Sequence, residues 1–362
     1  MYRLSQRQIY GLGDTATEKL ADSFPLAGRV MSNSRFGVAF LGLALSLSAQ
    51  TLKKIATIEL PDPKGQRFDY LTMDQEDHFL LSAHLGPGIM NVIDVRSNLL
   101  VKSIPGVPGI TGLEYVPGLR KVYTSDWGEE KIGVIDLHSM RVVKRLPTAA
   151  KPNGSVYATP FRKVYVSDTM GKAVAVIDVD RDEIVKTIPF NSETGMPQYD
   201  SVARRVYVNL RSVNRIAEID PSTDAVVGQY PVEGCVFNHG MAMDSEHHRA
   251  FLLCGKSRAL TVFATDTHHA IAHLPLPPGA DVVKFDPGLR RIYAACSSGI
   301  IAVYQEQDAD HFQKLEDFPV QRSVHSLAVD SETHRVYAPE QEEDGRPAAR
   351  IVVYEAITNQ RN

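Results

Sequence analysis

The stretch Asn153–Ile188, NGSVYATPFRKVYVSDTMGKAVAVIDVDRDEIVKTI, contains four short strand-like pieces, Ser155–Ala158, Lys163–Ser167, Ala173–Asp178 and Glu183–Ile188, and shows no helical period. The same phrase stands upstream as TGLEYVPGLRKVYTSDWGEEKIGVIDLHSMRVVKRL, beginning at Thr111, 42 residues earlier. A four-strand unit recurring at about 40–45 residues is the signature of a β-propeller blade.

Aligned on the second strand of each unit, the repeat begins at Leu80, Val122, Val164, Val206, Ala250, Ile292 and Val336, in steps of 42, 42, 42, 44, 42 and 44. The third strand ends VID at Asp94, Asp136 and Asp178 and EID at Asp220. It fades to TVFAT near Val262, IAVY near Val303 and IVVY near Val353. Turn chemistry such as VPGL, DPGL and DPST separates the strands. The seventh unit has a first strand near Ser326–Asp330, a second near Arg335–Ala338 and a third near Arg350–Glu355, but no fourth. Leu52–Leu60, LKKIATIEL, has the fourth-strand pattern and precedes the first unit. The expected fold is therefore all-β. It is one seven-bladed propeller over residues 50–362, with four-stranded blades and a ring closed by the N-terminal strand, about residues 52–60.

Composition is ordinary, with 43% hydrophobic and 23% charged residues and a formal net charge of −4. It excludes a disordered chain and a basic nucleic-acid surface. Residues 36–47, FGVAFLGLALSL, follow Arg35 and precede small residues up to Ala49. This is the pattern of a secretory signal, too short to span a bilayer. Met31 stands where a start would give a conventional charged region, so residues 31–49 are expected to be a signal peptide and 1–30 an upstream extension or mis-assigned start. The expected destination is the periplasm or exterior, with no transmembrane segment and a monomeric chain. Cys235, Cys254 and Cys296 show no metal-site spacing. Cys254 and Cys296 are 42 apart, at equivalent places on diverging blades, so the adopted reading is three buried thiols.

VYTSD and VYVSD followed by VIDL or VIDV, and the strand IVKTI, resemble the YVTN-repeat propellers, often called YncE-like proteins. The resemblance covers about residues 52–356 and is strongest in units two to four. It implies an exported or surface propeller that binds a ligand or partner, with no reaction shared by the family. Some seven-bladed relatives are lactonases, but no lactonase site matches here residue by residue.

Asp94, Asp136, Asp178 and Asp220 each end a strand before a turn, where the side chain can accept backbone N–H groups two residues on. Tyr123, Tyr165, Tyr207, Tyr293 and Tyr337 recur in register as interblade packing residues with tethered hydroxyls. Both arrays are read as structural, so function is sought where the repeats differ. The residue eleven before each second-strand start should stand at the mouth of the central channel. Around the ring these are Asp69, Thr111, Asn153, Gly195, His239, Asp281 and His325. Ring closure makes the ionisable four contiguous, His239, Asp281, His325 and Asp69, with Arg67 and Asn238 beside them. Imidazole beside carboxylate can bind ligands, act as an acid–base pair, or hold a divalent metal, which is the one cofactor the residues suggest.

The loop after the second strand is expected to bring His84, Asp126, Asp168 and the lone tryptophan, Trp127, to the same face. Gln341–Arg350 reads as a mobile acidic surface loop, or else one overhanging unit seven. His247, His248, His268 and His269 read as solvated turn residues. The preferred function is an exported binding or scaffold protein that takes a small molecule or protein at the funnel. The enzyme alternative is a lactonase-like hydrolase with His239 or His325 as base and Asp281 or Asp69 as orienter or metal ligand. A third is a purely structural envelope module.

Overall fold

In a strand successive side chains face opposite ways, so V-Y-V-S-D places valines on one side of the sheet and tyrosine on the other, both against neighbouring blades. A computed structural model describes residues 50–358. The expected leader and upstream extension lie outside the described residues. Among the described residues, twenty-eight strands, numbered β1–β28 along the chain, form seven antiparallel four-stranded sheets. Blades one to six are consecutive, from β2 (Leu71–Asp74) to β25 (Phe312–Pro319). Blade seven takes β26 (Ala328–Asp330), β27 (Arg335–Glu343) and β28 (Arg346–Ala356), and β1 (Leu52–Glu59) completes it. No helix among the described residues is long and apolar enough to cross a membrane.

The closing strand pairs antiparallel with β28 from Leu52↔Ala356 to Glu59↔Arg350. Leu52, Ile58 and Leu60 are buried in two clusters that join blade seven to blades six and one. Glu316 Oε2 of blade six accepts both Thr51 N and Thr51 Oγ1 at 2.7 Å.

The two repeated arrays are structural. Asp94, Asp136 and Asp178 each accept two backbone N–H groups of the following turn, and Asp220 accepts Ser222 N. Tyr123 and Tyr165 donate to Asp182 and Asp224 of the next blade, each at 2.5 Å, and Tyr207 donates to the Thr265 carbonyl. Those two aspartates stand just before a strand with φ of 53° and 55°, a conformation their short polar side chains tolerate. Tyr293 and Tyr337 are fully buried but, among the described residues, their hydroxyls have no hydrogen-bond partner, so tethering does not extend to them.

Three expectations are corrected. Cys235 and Cys254 form a disulfide with Cα atoms 5.2 Å apart, and only Cys296 is a buried free thiol. Comparing equivalent positions on neighbouring blades overlooked a pairing inside one blade. Antiparallel pairing sets Asn238 opposite Cys254, and Cys235 lies three residues earlier. Residues 341–350 are not a loose loop. They extend β27 and β28 into a hairpin whose tip, Asp344–Gly345, has φ of 49° and 78°, as a type I′ turn requires. Gln321 both donates to and accepts from Asp344, which ties the tip to the preceding blade linker. The turn histidines are mostly engaged: His247 and His248 bond Asp244 and Asp200, and His268 lies 3.3 Å from Glu218 and stacks on Tyr230. His269 is exposed, as read.

Candidate functional site at the channel mouth

In blades two to six the ring position is the second residue of the inner strand, and there the pairing with the second strand breaks register. Thr111 falls in the break between Ile110 and Gly112, His239 between Asn238 and Met241, and Asp281 between Ala280 and Val282. A bulge of this kind re-aims a side chain out of the sheet. In blades one and seven the regular strand starts later, so Asp69 and His325 precede Leu71 and Ala328. The residue after the ring position lies against the next blade's ring carbonyl. A Cβ on Gly112 would collide with the Asn153 carbonyl, and one on Gly240 with that of Asp281. Glycine is what allows the inner strands to approach so closely.

The four ionisable ring residues converge. His239 Nε2 lies 3.2 Å from Asp281 Oδ1. Arg67 links the other two, with one guanidinium nitrogen 3.3 Å from Asp69 Oδ2 and 3.2 Å from His325 Nε2. His325 Nδ1 is 2.9 Å from the Ser323 carbonyl, so it carries the proton and Nε2 accepts from Arg67. Asn209 Nδ2 donates to the His239 carbonyl at 2.8 Å, and Asn238 Nδ2 donates to Asn209 Oδ1, anchoring the strand start that carries His239. Arg67 and Asp281 lie between two openings. One, of ≈ 350 Å³, is lined by Asp69, Asn153, His239 and Trp127 among others, and the second, of ≈ 400 Å³, by His325 and Gln341.

The charges are unevenly tuned. Burial pushes the Asp281 carboxyl up, but the His239 hydrogen bond and the charges of His239, His325 and Arg67 outweigh it and bring it to about 2. Burial, and then the Asp281 charge, hold Asp69 well above the carboxylate range despite Arg67. Burial lowers His325, opposed by Asp281 and assisted by Arg67. The mouth thus presents one carboxyl that loses its proton readily, one that holds it more tightly, an imidazole whose charged form is disfavoured and an exposed guanidinium. The raised Asp69 makes the folded chain bind more protons than the unfolded chain, so this residue costs stability as pH rises through its window above the normal carboxylate range. Asp69→Asn removes the cost. Relative to wild type, its melting midpoint is expected to be unchanged near pH 4 and higher at pH 8 by about 2–4 °C, the shift that ~1 kcal/mol gives a large domain. A difference independent of pH would contradict the assignment.

Other expected residues divide by position. Thr111 is buried and its hydroxyl donates to backbone carbonyls of Ser125 and Pro152, so it shapes the rim. Asn153 reaches the cavity, and Gly195 brings no side chain. His84, Asp126 and Asp168 do not reach it. All three are fully buried four residues into the second strand. His84 bonds Asp62 at 2.7 Å and stacks on Phe68, Asp168 accepts from Thr148 Oγ1 and Ala149 N, and Asp126 is pushed up to about 7 by burial. One residue further along, parity reverses. Leu85, Trp127, Thr169 and Arg211 line the first opening, and Ser297 and Gln341 the second. Of the four expected loop residues, Trp127 alone has the channel-facing parity. It is half-buried, with Lys151 Nζ 5.6 Å from its ring. The Arg211 guanidinium lies 4.4 Å over Phe237.

Sequence reading also missed a second polar layer. Because the bulge adds a residue, the next channel-facing position is three residues on, where Thr72, Glu114, Gln198 and Lys284 line a cavity of ≈ 200 Å³. Burial drives Glu114 up to about 8 against the Tyr157 N–H it accepts, and drives Lys284 down. Tyr70 borders both this cavity and the first opening.

No protein-family model and no curated protein sequence matches the chain. Solved structures do. A structure described as U3-55K aligns with a TM-score of 0.70 at 10% identity, covering 84% of this chain and 98% of that one. The WD40 repeats of RRP9 align at 0.70 and 9% identity, covering 85% and 98%. A streptogramin B lyase aligns at 0.67 and 11% identity, covering 85% and 98%. The chain is a seven-bladed β-propeller. Likeness at this identity establishes the propeller fold and nothing about chemistry.

Proposed function

We propose that this propeller is an exported binding protein of the YVTN-repeat type, which takes a small oxygen-rich ligand at the channel mouth. The observation that carries the reading is the convergence of Arg67, Asp69, His239, Asp281 and His325 at one mouth beside Trp127. The exposed guanidinium donates, Asp281 accepts, and the indole offers an apolar face. A few placed polar groups against an apolar wall suit a saccharide, lactone or small carboxylate. Export rests on the leader-like residues 31–49 and is supported by the Cys235–Cys254 disulfide, which persists in oxidising compartments.

The hydrolase reading draws support from the His239–Asp281 pair. Binding is preferred because no ring nitrogen is free at the opening. His239 Nε2 faces Asp281 and its Nδ1 is buried without a partner, while His325 has Ser323 on one nitrogen and Arg67 on the other.

A thermal-shift screen over saccharides, lactones and small dicarboxylates tests the proposal. A ligand at a hundred times its Kd is expected to add about 2.7 kcal/mol of stability, and Arg67→Ala and Asp281→Asn should each abolish the shift. A panel without any shift would replace the small ligand by a protein partner. Shifts that survive both variants would move the site elsewhere.

A further inference from the structure

At the end of the ring opposite the funnel, blades five and six share a second group of chemistry-bearing side chains. Asp244 ends β18 (Asn238–Asp244), His247 stands in the turn that follows, and Glu306 ends β24 (Ile300–Glu306). Asp244 Oδ2 is 2.6 Å from His247 Nδ1, and His247 Nδ1 is 3.3 Å from Glu306 Oε1. One donor atom from each lies within 4.8 Å of the others.

Glu306 is the anomaly. Its backbone N–H donates to the Arg290 carbonyl, and the same bond recurs from Val95, Leu137, Val179, Thr265 and Ala356 to the matching turn residue of their own blades. The repeat thus places an apolar residue or threonine at this position, with Pro221 at the corresponding place in blade four. Blade six alone puts a carboxylate there. The Glu306 side chain is fully buried, and neither oxygen has a hydrogen-bond partner among the described residues. The nearest positive groups are His247 and, 3.6 Å from Oε2, the Arg290 guanidinium. Among the described residues, the two buried carboxyl groups thus face only one guanidinium and one imidazole. A buried carboxylate is costly unless it is paired or holds a metal.

We propose that Asp244, His247 and Glu306 hold a divalent transition cation through Oδ2, Nδ1 and Oε1. One imidazole and two carboxylates form a donor set for Zn²⁺ or Mn²⁺. The His247–Glu306 spacing of 3.3 Å matches the edge, about 3.3 Å, of a tetrahedron with ~2.0 Å metal–ligand bonds, and the 2.6 Å Asp244–His247 hydrogen bond would open to that length as the ion replaces its proton. The His247 side chain is 28% exposed, so a cation can enter and keep a water ligand. The ligands come from two blades. The ion would clamp blade five to blade six, whose inner strands carry His239 and Asp281 at their other ends.

Untagged full-length protein, stripped with chelator and dialysed, is titrated calorimetrically with ZnCl₂ and with MnCl₂ at pH 7.5. Wild type should take up one equivalent of at least one of them with a rise in melting midpoint. The His239→Ala plus His325→Ala variant should keep that uptake. Glu306→Gln, which keeps the shape and removes a buried charge, and His247→Ala should each weaken it at least tenfold, with circular dichroism confirming that both fold. No uptake of either cation by wild type overturns the proposal. So does uptake that survives Glu306→Gln but is lost in the funnel variant.

Discussion

Deletion of residues 52–59 is expected to abolish cooperative folding. The strand closes blade seven, and its loss exposes the whole edge of β28 along the register Leu52↔Ala356 to Glu59↔Arg350. It also removes Leu52 and Ile58 from two clusters and leaves Leu60 without its strand. Burying each such side chain stabilises by about 1.5–3 kcal/mol. Three of them amount to roughly 5–9 kcal/mol before any backbone bond is counted, comparable with the 5–15 kcal/mol net stability of a whole domain. The truncated chain should show no cooperative thermal transition, and a synthetic peptide spanning residues 50–61 added in trans should restore one. A truncated chain melting within a few degrees of the full chain would mean that the ring closes without β1.

Breaking the Cys235–Cys254 bond is the second large effect. The cysteines are 19 apart in sequence, and releasing a loop of that size from the denatured chain costs about 3 kcal/mol of stability. Cys235→Ala plus Cys254→Ala should lower the melting midpoint by on the order of 5–10 °C. Dithiothreitol should do the same to wild type and nothing further to the variant. The consequence reaches the funnel, because the bond brackets the start of β18, where Asn238 and His239 stand. A variant that melts with the wild type would show that the Asn209–Asn238 bonds alone hold that strand start.

The fold was legible because propeller blades repeat. V-Y-V-S-D and V-I-D recur every 42–44 residues, and the missing fourth strand of unit seven pointed to Leu52–Leu60. Convergence of Asp69, His239, Asp281 and His325 followed from ring closure alone, although Asp69 and His325 are far apart in the chain. What failed was parity. His84, Asp126 and Asp168 were chosen one residue short of the positions that face the channel, and a one-residue shift in a strand sends every side chain to the opposite face. The Glu114–Lys284 layer was hidden by the bulge, which offsets the count by one. The disulfide was hidden because Cys235 lies outside the strands, where the repeat register places nothing. The Asp244–His247–Glu306 group was hidden because its members come from different blades.

The central claim is that function resides at the mouth between blades five and one, and the lone tryptophan tests it directly. Trp127 is the single tryptophan of the chain and lines the first opening. Any saccharide, lactone or small dicarboxylate that raises the melting midpoint should also change the emission of Trp127, with a titration midpoint matching its Kd. Asp281→Asn should remove both responses together. A saccharide, lactone or dicarboxylate that stabilises the protein yet leaves Trp127 emission unchanged in wild type, or stabilises Asp281→Asn equally well, would contradict the account.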